Sequence, residues 1–286
     1  MMREVGGDER RGGGSGGRRV EVGRGDVLFG AGLVLPTVFY VLILSAMLVA
    51  DAAYTTPGHL IASLRSPEIL YSIELSMVSC TLTSILSLWV AVPSGYLMAR
   101  WSFPGKRWVD ALLDTPIVLP PLVVGLSLLI LFQTPAGKLV ERAIPMTYSV
   151  AGVVLAQFMV ASAFAIRTMR VTFEQIHPRR EQVALTLGCS RAQAFWLVAL
   201  PEARKGMVTA FALAWARSLG EFGPILVFAG ATRLKTEVLP TTVFLELSTG
   251  NLEAAVAVSL LMVIAAMGML TVLRVCGSGN TAPGTI

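Results

Sequence analysis

Arg217 and Glu221 stand four residues apart in an otherwise apolar stretch, Ala216-Arg217-Ser218-Leu219-Gly220-Glu221-Phe222-Gly223-Pro224. On a helix that spacing places both side chains on one face, where they can pair. An arginine near the middle of a bilayer costs about 2.5 to 3.5 kcal/mol on insertion scales, so a partner is expected. Two chemistries fit the pair. In one, Arg217 helps an anion cross and Glu221 holds it in place. In the other, the pair fixes a kinked helix with Gly220, Gly223 and Pro224 at a dimer or gate surface. A carboxylate beside an anion path repels its substrate unless it is neutralised, which favours the structural reading. Glu74 is a similar case with no partner that the sequence names; a place close to the outer surface would hydrate it.

The other reactive side chains are sparse. Cys80, Cys189 and Cys276 are scattered, with neither a CxxC pair nor metal-ligand spacing, so they suggest no disulfide framework and no zinc site. His59 and His177 lie outside the apolar stretches, which leaves a metalloprotease or a Ser-His hydrolase almost no material. Gly12-Gly13-Gly14-Ser15-Gly16-Gly17 follows no strand and precedes no Lys-Ser or Lys-Thr, so it is not a phosphate loop. Residues 1–26 read as a flexible Gly/Arg-rich tail, and residues 276–286 as a second short one.

The elements that must position Arg217 and Glu221 are membrane spans. Hydrophobic residues make up 54% and charged residues 14% of the 286, a balance that excludes a soluble domain and fits a polytopic membrane protein. Six spans of about 20 residues or more can be counted: 27–50, 69–99, 111–132, 148–166, 207–229 and 252–273. The first is too long for a signal-peptide core. With the N-terminus inside, 17 of the 23 Lys and Arg fall in inner segments and five in outer loops, Arg217 being within a span. The positive-inside rule then puts both termini and the long segment 167–206 in the cytoplasm. Topology accounts for the basic charge, and no nucleic-acid partner is inferred from it.

Segment 167–206 is polar and basic, and longer than a connection requires. It reads as a helix, a turn at Gly188, which tolerates unusual backbone angles, and a second helix capped by Ser190. Gln193 stands at capping-box distance. Arg191 and Gln193 are expected outside, with Ala194, Phe195 and Leu197 facing inward. The segment resembles the cytoplasmic loop of permease subunits of binding-protein-dependent ABC importers: Glu-Ala-Ala, three residues, Gly, nine residues, Ile, any residue, Leu-Pro. Gln182-Val183-Ala184 stands where Glu-Ala-Ala would, Glu181 supplies the acid one residue early, and Gly188, Val198, Leu200 and Pro201 fall in register.

Further stretches narrow the resemblance. Pro93-Ser94-Gly95-Tyr96-Leu97-Met98-Ala99-Arg100 closes the second span, and Leu119-Pro120-Pro121-Leu122-Val123-Val124-Gly125 breaks the start of the third. A broken helix is tolerated in a membrane where protein or a water-filled path satisfies its backbone. With Gly220-Glu221-Phe222-Gly223, these resemble the permease of a molybdate or tungstate ABC importer, the sulfate permeases being close relatives, over roughly 70–274. Pro224-Ile225 departs from the Ala-Thr of many relatives, and Gln133–Gly137 is less glycine-rich than usual.

The resemblance implies an all-α type I importer permease of six transmembrane helices that catalyses nothing and binds no cofactor. It implies a homodimer lining one path, two copies of a separate ATPase carrying ATP and magnesium, and an external binding protein. Glu181, Ala184, Gly188, Cys189, Ser190, Arg191, Leu200 and Pro201 would then couple to the ATPase. Arg217, Gly220, Glu221, Gly223, Pro224 and Thr236 would line the path or gate, with Thr236, Thr241 and Thr242 as first contacts for an anion. A bulky residue at Gly188 is expected to uncouple transport without preventing insertion. Two other classes, an ion-coupled secondary transporter and a membrane scaffold, leave the long basic segment and the Pro-Pro and Gly-Glu-Phe-Gly motifs without a task. Selectivity among molybdate, tungstate and sulfate is expected to reside in the delivery protein.

Overall fold

The computed structural model describes residues 24–54, 58 and 65–278; most of the Gly/Arg-rich tail, His59 and residues 279–286 lie outside that range. The chain divides into two units, residues 1–50 and 51–286. The first contains all but the last four residues of α1 (Arg24–Tyr54), an apolar helix with Pro36 in its interior.

The second unit is built on three helices. α2 (Pro67–Arg100) opens with proline in its first turn and runs unbroken through Pro93. α6 (Val150–Gln175) is capped by the Ser149 hydroxyl, which accepts from the Gly152 amide. α10 (Arg204–Leu219) follows the long segment. Thr83 of α2 lies against Gln157 of α6, Gly95 against Met169 and Arg170, and Arg100 against Phe173 and Ile176. The numbers rise together, so α2 and α6 run parallel. Gly206 lies against Thr172 and Ser218 against Gln157, so α10 runs the opposite way.

Small side chains let these helices approach. Ser72, Ser76, Ser79, Thr83 and Ser87 form a buried column on α2. A Cβ on Gly95 would come within 2.7 Å of the Arg170 amide nitrogen. In lipid, where apolar faces gain little by meeting, such close backbone packing and inter-helix hydrogen bonds hold helices together. Gln157 supplies the bonds: it accepts from the Thr83 hydroxyl at 3.1 Å and donates to the Ser218 carbonyl at 3.3 Å.

Around this core lie α3 (Lys106–Val118), α4 (Pro121–Gln133), α5 (Pro135–Ala143), α7 (Arg179–Thr186), α8 (Arg191–Ala194), α9 (Leu200–Glu202), α11 (Leu239–Ser248) and α12 (Leu252–Ser278). Among the described residues, α1, α2, α6 and α12 each contain a stretch long and apolar enough to cross a membrane. The other two expected spans are interrupted. α3 and α4 meet at Leu119–Pro120 with a bend of 113°. α10 has 16 residues, about 24 Å of rise against a core of about 30 Å. It stops before Gly220 and is followed by a wide π turn, Ile225–Ala229.

The fourth span also differs from its expected end at 166. α6 continues to Gln175 because its inward face stays apolar through Met169 and Phe173, both fully buried. Only its outer face turns charged, at Arg167, Arg170 and Glu174. Residues 204–206 likewise belong to α10. The long segment is thus a hairpin over 176–203, flanked by helix.

Candidate functional site

The hairpin is set by local chemistry. α7 turns Glu181 and Ala184 inward and leaves Val183, Leu185 and Leu187 exposed. Gly188 has φ +90°, a value that L side chains rarely adopt, and nothing lies within 4 Å of where its Cβ would be. The Cys189 amide closes the turn on the Ala184 carbonyl at 3.1 Å. Ser190 and Gln193 form the expected capping box, the Gln193 amide donating to Ser190 Oγ and the Ser190 amide to Gln193 Oε1.

After α8 the chain widens into a π turn over Phe195–Ala199, in which the Leu200 amide reaches back five residues to Phe195. Pro201, next in line, has no N–H to offer the regular ladder. The wide turn shifts the inward face: Ala194 and Ala199 are buried and Phe195 is half-buried. Leu197, expected inside, is 68% exposed, and Trp196 beside it 64%. Cys189 is a free thiol, partly exposed; Arg191 and Pro201 are exposed and Leu200 is half-buried.

Glu181 does not face solvent. Its carboxylate accepts from Tyr96 and from Arg100, two side chains of α2 that the sequence reading did not connect with it. Nearby, Asp110 and Asp114 of α3 pair with Arg170 and Arg167 of α6, and Arg180 pairs with Glu202. A cleft of ≈ 600 Å³ opens at the same end, lined in part by Arg167, Thr172, Glu202 and Lys205. No local pattern announces these pairings, which join residues 22 to 85 positions apart.

The second region joins the two motifs that break helices. A Cβ on Gly125 would lie 2.7 Å from Pro224 Cα, and one on Gly223 would lie 3.1 Å from the Leu122 amide nitrogen. The Pro-Pro break and the Gly-Glu-Phe-Gly break therefore meet at backbone contact. Leu119 and Pro120 are extended, as a residue before proline prefers. The described N-terminal turn of α4 thus sits against the 220–224 segment.

Arg217 and Glu221 do pair, at 2.6 Å, although Glu221 lies beyond the end of α10 rather than on one continuous helix. Glu221 is 1% exposed. Its Oε1 is close to the guanidinium but out of line for a hydrogen bond. Arg217 also lies over the Phe164 ring, 5.7 Å from its centroid. Gly220 is exposed at the break, and Gly223 and Pro224 are buried.

The loop after this break is knitted shut. Thr236 donates to the Gly230 carbonyl and accepts from the Thr232 amide. Thr241 and Thr242 donate to the Val238 carbonyl. All three threonines are fully buried, so as first contacts for an anion their hydroxyls are neither exposed nor idle here. Their spacing carries capping signals, which a reading by residue type alone passes over. Glu237 is fully buried, and neither carboxylate oxygen has a hydrogen-bond partner. Burial pushes its carboxyl above the ordinary 4.5, against a smaller opposing pull from the Arg233 charge.

Residues 91–276 match the family described as binding-protein-dependent transport system inner membrane component. That range contains both regions. The chain belongs to this family. A probable molybdenum ABC transporter permease of Haloferax volcanii is 33% identical over 258 residues, 90% of this chain and 92% of the relative. The molybdate/tungstate permease of Thermococcus kodakarensis is 34% identical, covering 75% and 81% of the two chains. The sulfate permease of Escherichia coli is 32% identical, covering 72% and 76%. A crystal structure of a bacterial alginate ABC transporter in complex with its pentasaccharide-bound periplasmic protein contains a chain of the same fold, with TM-score 0.74 at 13% identity over 92% of this chain and 98% of that one. The protein is thus a multi-pass ABC importer permease of the group that includes the molybdate, tungstate and sulfate permeases. The relatives are permease subunits, not enzymes.

Proposed function

We propose that this permease forms, as a homodimer, the path by which molybdate or tungstate is imported at the expense of ATP hydrolysed on two copies of a separate subunit. An external binding protein delivers the anion. The chain crosses the membrane six times with both termini in the cytoplasm; α3 with α4, and α10 with the turn after it, make the two interrupted crossings.

The observation that carries the coupling reading is the surface of the hairpin. Val183, Leu187, Trp196 and Leu197 stand exposed around a glycine turn with open space beside it. Exposed apolar groups on a short, stiff, capped element suit a partner groove better than water. Ala184, Gly188, Cys189, Ser190, Arg191, Leu200 and Pro201 shape that surface. Glu181 acts behind it.

The path reading rests on the apposed breaks. A helix N-terminus offers unpaired N–H groups that suit an oxyanion, and α4 begins at such a break. Pairing with Glu221 offsets the charge of Arg217. A neutralised pair avoids trapping the anion, and a permeation route must release what it binds. Arg217, Gly220, Glu221, Gly223 and Pro224 therefore act as the frame of the gate, and Thr236 holds the loop above it.

A second reading, a sulfate permease, is favoured by the similarity to the Escherichia coli protein. Uptake of labelled molybdate by cells carrying this permease with its ATPase and binding protein separates the two. Uptake that requires the ATPase and is blocked by tungstate but not by sulfate supports the first reading. Blocking by sulfate moves the assignment to the second, and ATPase-independent uptake contradicts both.

A further inference from the structure

Arg100, the last residue of α2, spends its whole guanidinium on two other elements. Nε donates to Glu181 Oε1 at 2.9 Å, Nη1 to the Phe173 carbonyl at 2.8 Å and Nη2 to the Ile176 carbonyl at 2.8 Å. Those carbonyls close α6, where no further turn supplies donors, and a cation suits that end of a helix. The other oxygen of Glu181 accepts from the Tyr96 hydroxyl at 2.7 Å. The Tyr96 ring meets Phe173 and Phe195 edge-on at 5.3 and 4.7 Å. α2, α6, α7 and the π turn of the hairpin thus converge on one ion pair, whose side chains are 10% and 11% exposed.

We propose that Tyr96, Arg100 and Glu181 are positioning residues that lock the hairpin to the ends of α2 and α6, so that a displacement of the hairpin moves both helices as one body. The proposal rests on the coupling reading of the hairpin. It gives the acidic residue of the loop motif an internal role in place of a contact with the ATPase, since both of its carboxylate oxygens are engaged within the chain. The chemistry suits a lock. A guanidinium fork fixes three acceptors at set angles, which a single ammonium cannot do. Separating the pair would strand a buried charge, so the joint resists sliding in every direction. α6 then carries the movement inward. It packs on α2 at Gly95 and reaches Gln157, whose amide holds the Ser218 carbonyl just before the break at Gly220. Ile176 to Gln157 is 19 residues, about 28 Å of helix, so one rigid element joins the lock to the gate frame.

The test uses the complete transporter, permease with ATPase and binding protein, in liposomes. Labelled molybdate imported and ATP hydrolysed are measured together for Glu181→Gln, Arg100→Lys and Tyr96→Phe. In all three the ATPase is expected to co-purify and to hydrolyse ATP. Ions imported per ATP fall about tenfold in Glu181→Gln and Arg100→Lys, within the usual range of coupling between sites. They fall about threefold in Tyr96→Phe, which loses one hydrogen bond and keeps its ring packing. A purely structural role would lower yield, hydrolysis and uptake together and leave the ratio at the wild-type value; that result overturns the proposal. Loss of the ATPase from purified Glu181→Gln also overturns it, by making Glu181 a partner contact. Should the two ion-pair variants not insert, an unchanged ratio in Tyr96→Phe decides against the lock. Gly188→Trp, on the exposed face, separates the two levels. If it lowers the ratio and the lock variants do not, only the lock fails; if it too leaves the ratio unchanged, the coupling reading fails.

Discussion

The hairpin end and the apposed breaks solve opposite problems with similar residues. At the hairpin end an arginine and a glutamate are fully occupied: each nitrogen of Arg100 and each oxygen of Glu181 has a partner at 2.7 to 2.9 Å. At the breaks the arginine and glutamate are close but misaligned, and Glu221 Oε1 is buried without a hydrogen bond. Buried polar groups are normally satisfied, and each exception asks for a reason. A joint that must transmit force gains from complete satisfaction. A frame that must adopt two arrangements gains from bonds that are not optimal in either. Under the proposed coupling, that contrast fits a stiff joint at the hairpin end and a frame free to rearrange at the breaks.

The largest expected effect strikes the apposed breaks. Gly125→Leu would drive a side chain into the Pro224 backbone, where the neighbour is main chain and cannot swing aside. Overpacking costs about 1 to 3 kcal/mol even among side chains, so this variant is expected to lose uptake and most of its folded yield. Normal uptake would mean that the two breaks do not pack as described.

Next in size is Glu221→Gln, which removes the countercharge of Arg217. Breaking a buried pair costs about 3 to 5 kcal/mol, and Arg217 is partly solvated, so a loss of about 2 kcal/mol or less is expected in detergent unfolding. Anion preference should not change. An altered preference with intact assembly would turn the pair from frame into anion site.

Glu237→Gln should act through pH. The raised pKa means that the folded chain holds its proton more tightly than the unfolded chain. Stability is therefore greatest below the ordinary value of 4.5 and falls as pH rises through the elevated one. The variant should flatten that slope and unfold at a higher temperature than wild type near neutral pH. An unchanged pH profile would show that Glu237 finds a partner.

Smallest is Asp114→Asn. Its pair with Arg167 is 3.4 Å long, with side chains 39% and 62% exposed, so the loss should not exceed about 0.5 kcal/mol. A larger loss would extend the stiff region beyond the lock, onto α3.

Much of this contrast was legible in the sequence where the cause is local. The capping box at Ser190 and Gln193, the left-handed turn at Gly188 and the helix break at the paired prolines each depend on residues within a few positions. Arg217 and Glu221 were readable as a pair for the same reason. What was not legible depends on packing. Nothing near Arg100 says that its partner is Glu181, 81 residues on. Leu197 follows helical spacing and faces out because a π turn, not an α turn, precedes Pro201. Met169 and Phe173 extend α6 past the point where charges begin, because only one face of that helix is charged. Thr236 reads as an exposed donor by type and is buried by the fold of its loop.

Transmission of ATP hydrolysis from the hairpin to the gate is measured by counting molybdate ions imported per ATP hydrolysed in liposomes containing Gly188→Trp permease with its ATPase and binding protein. The position is open within this chain, so insertion should survive, while a bulky residue at φ +90° distorts the turn and fills the space left for a partner. A ratio at least about tenfold below wild type, with the permease inserted, is the predicted result. A wild-type ratio, with hydrolysis still stimulated by the loaded binding protein, would contradict it.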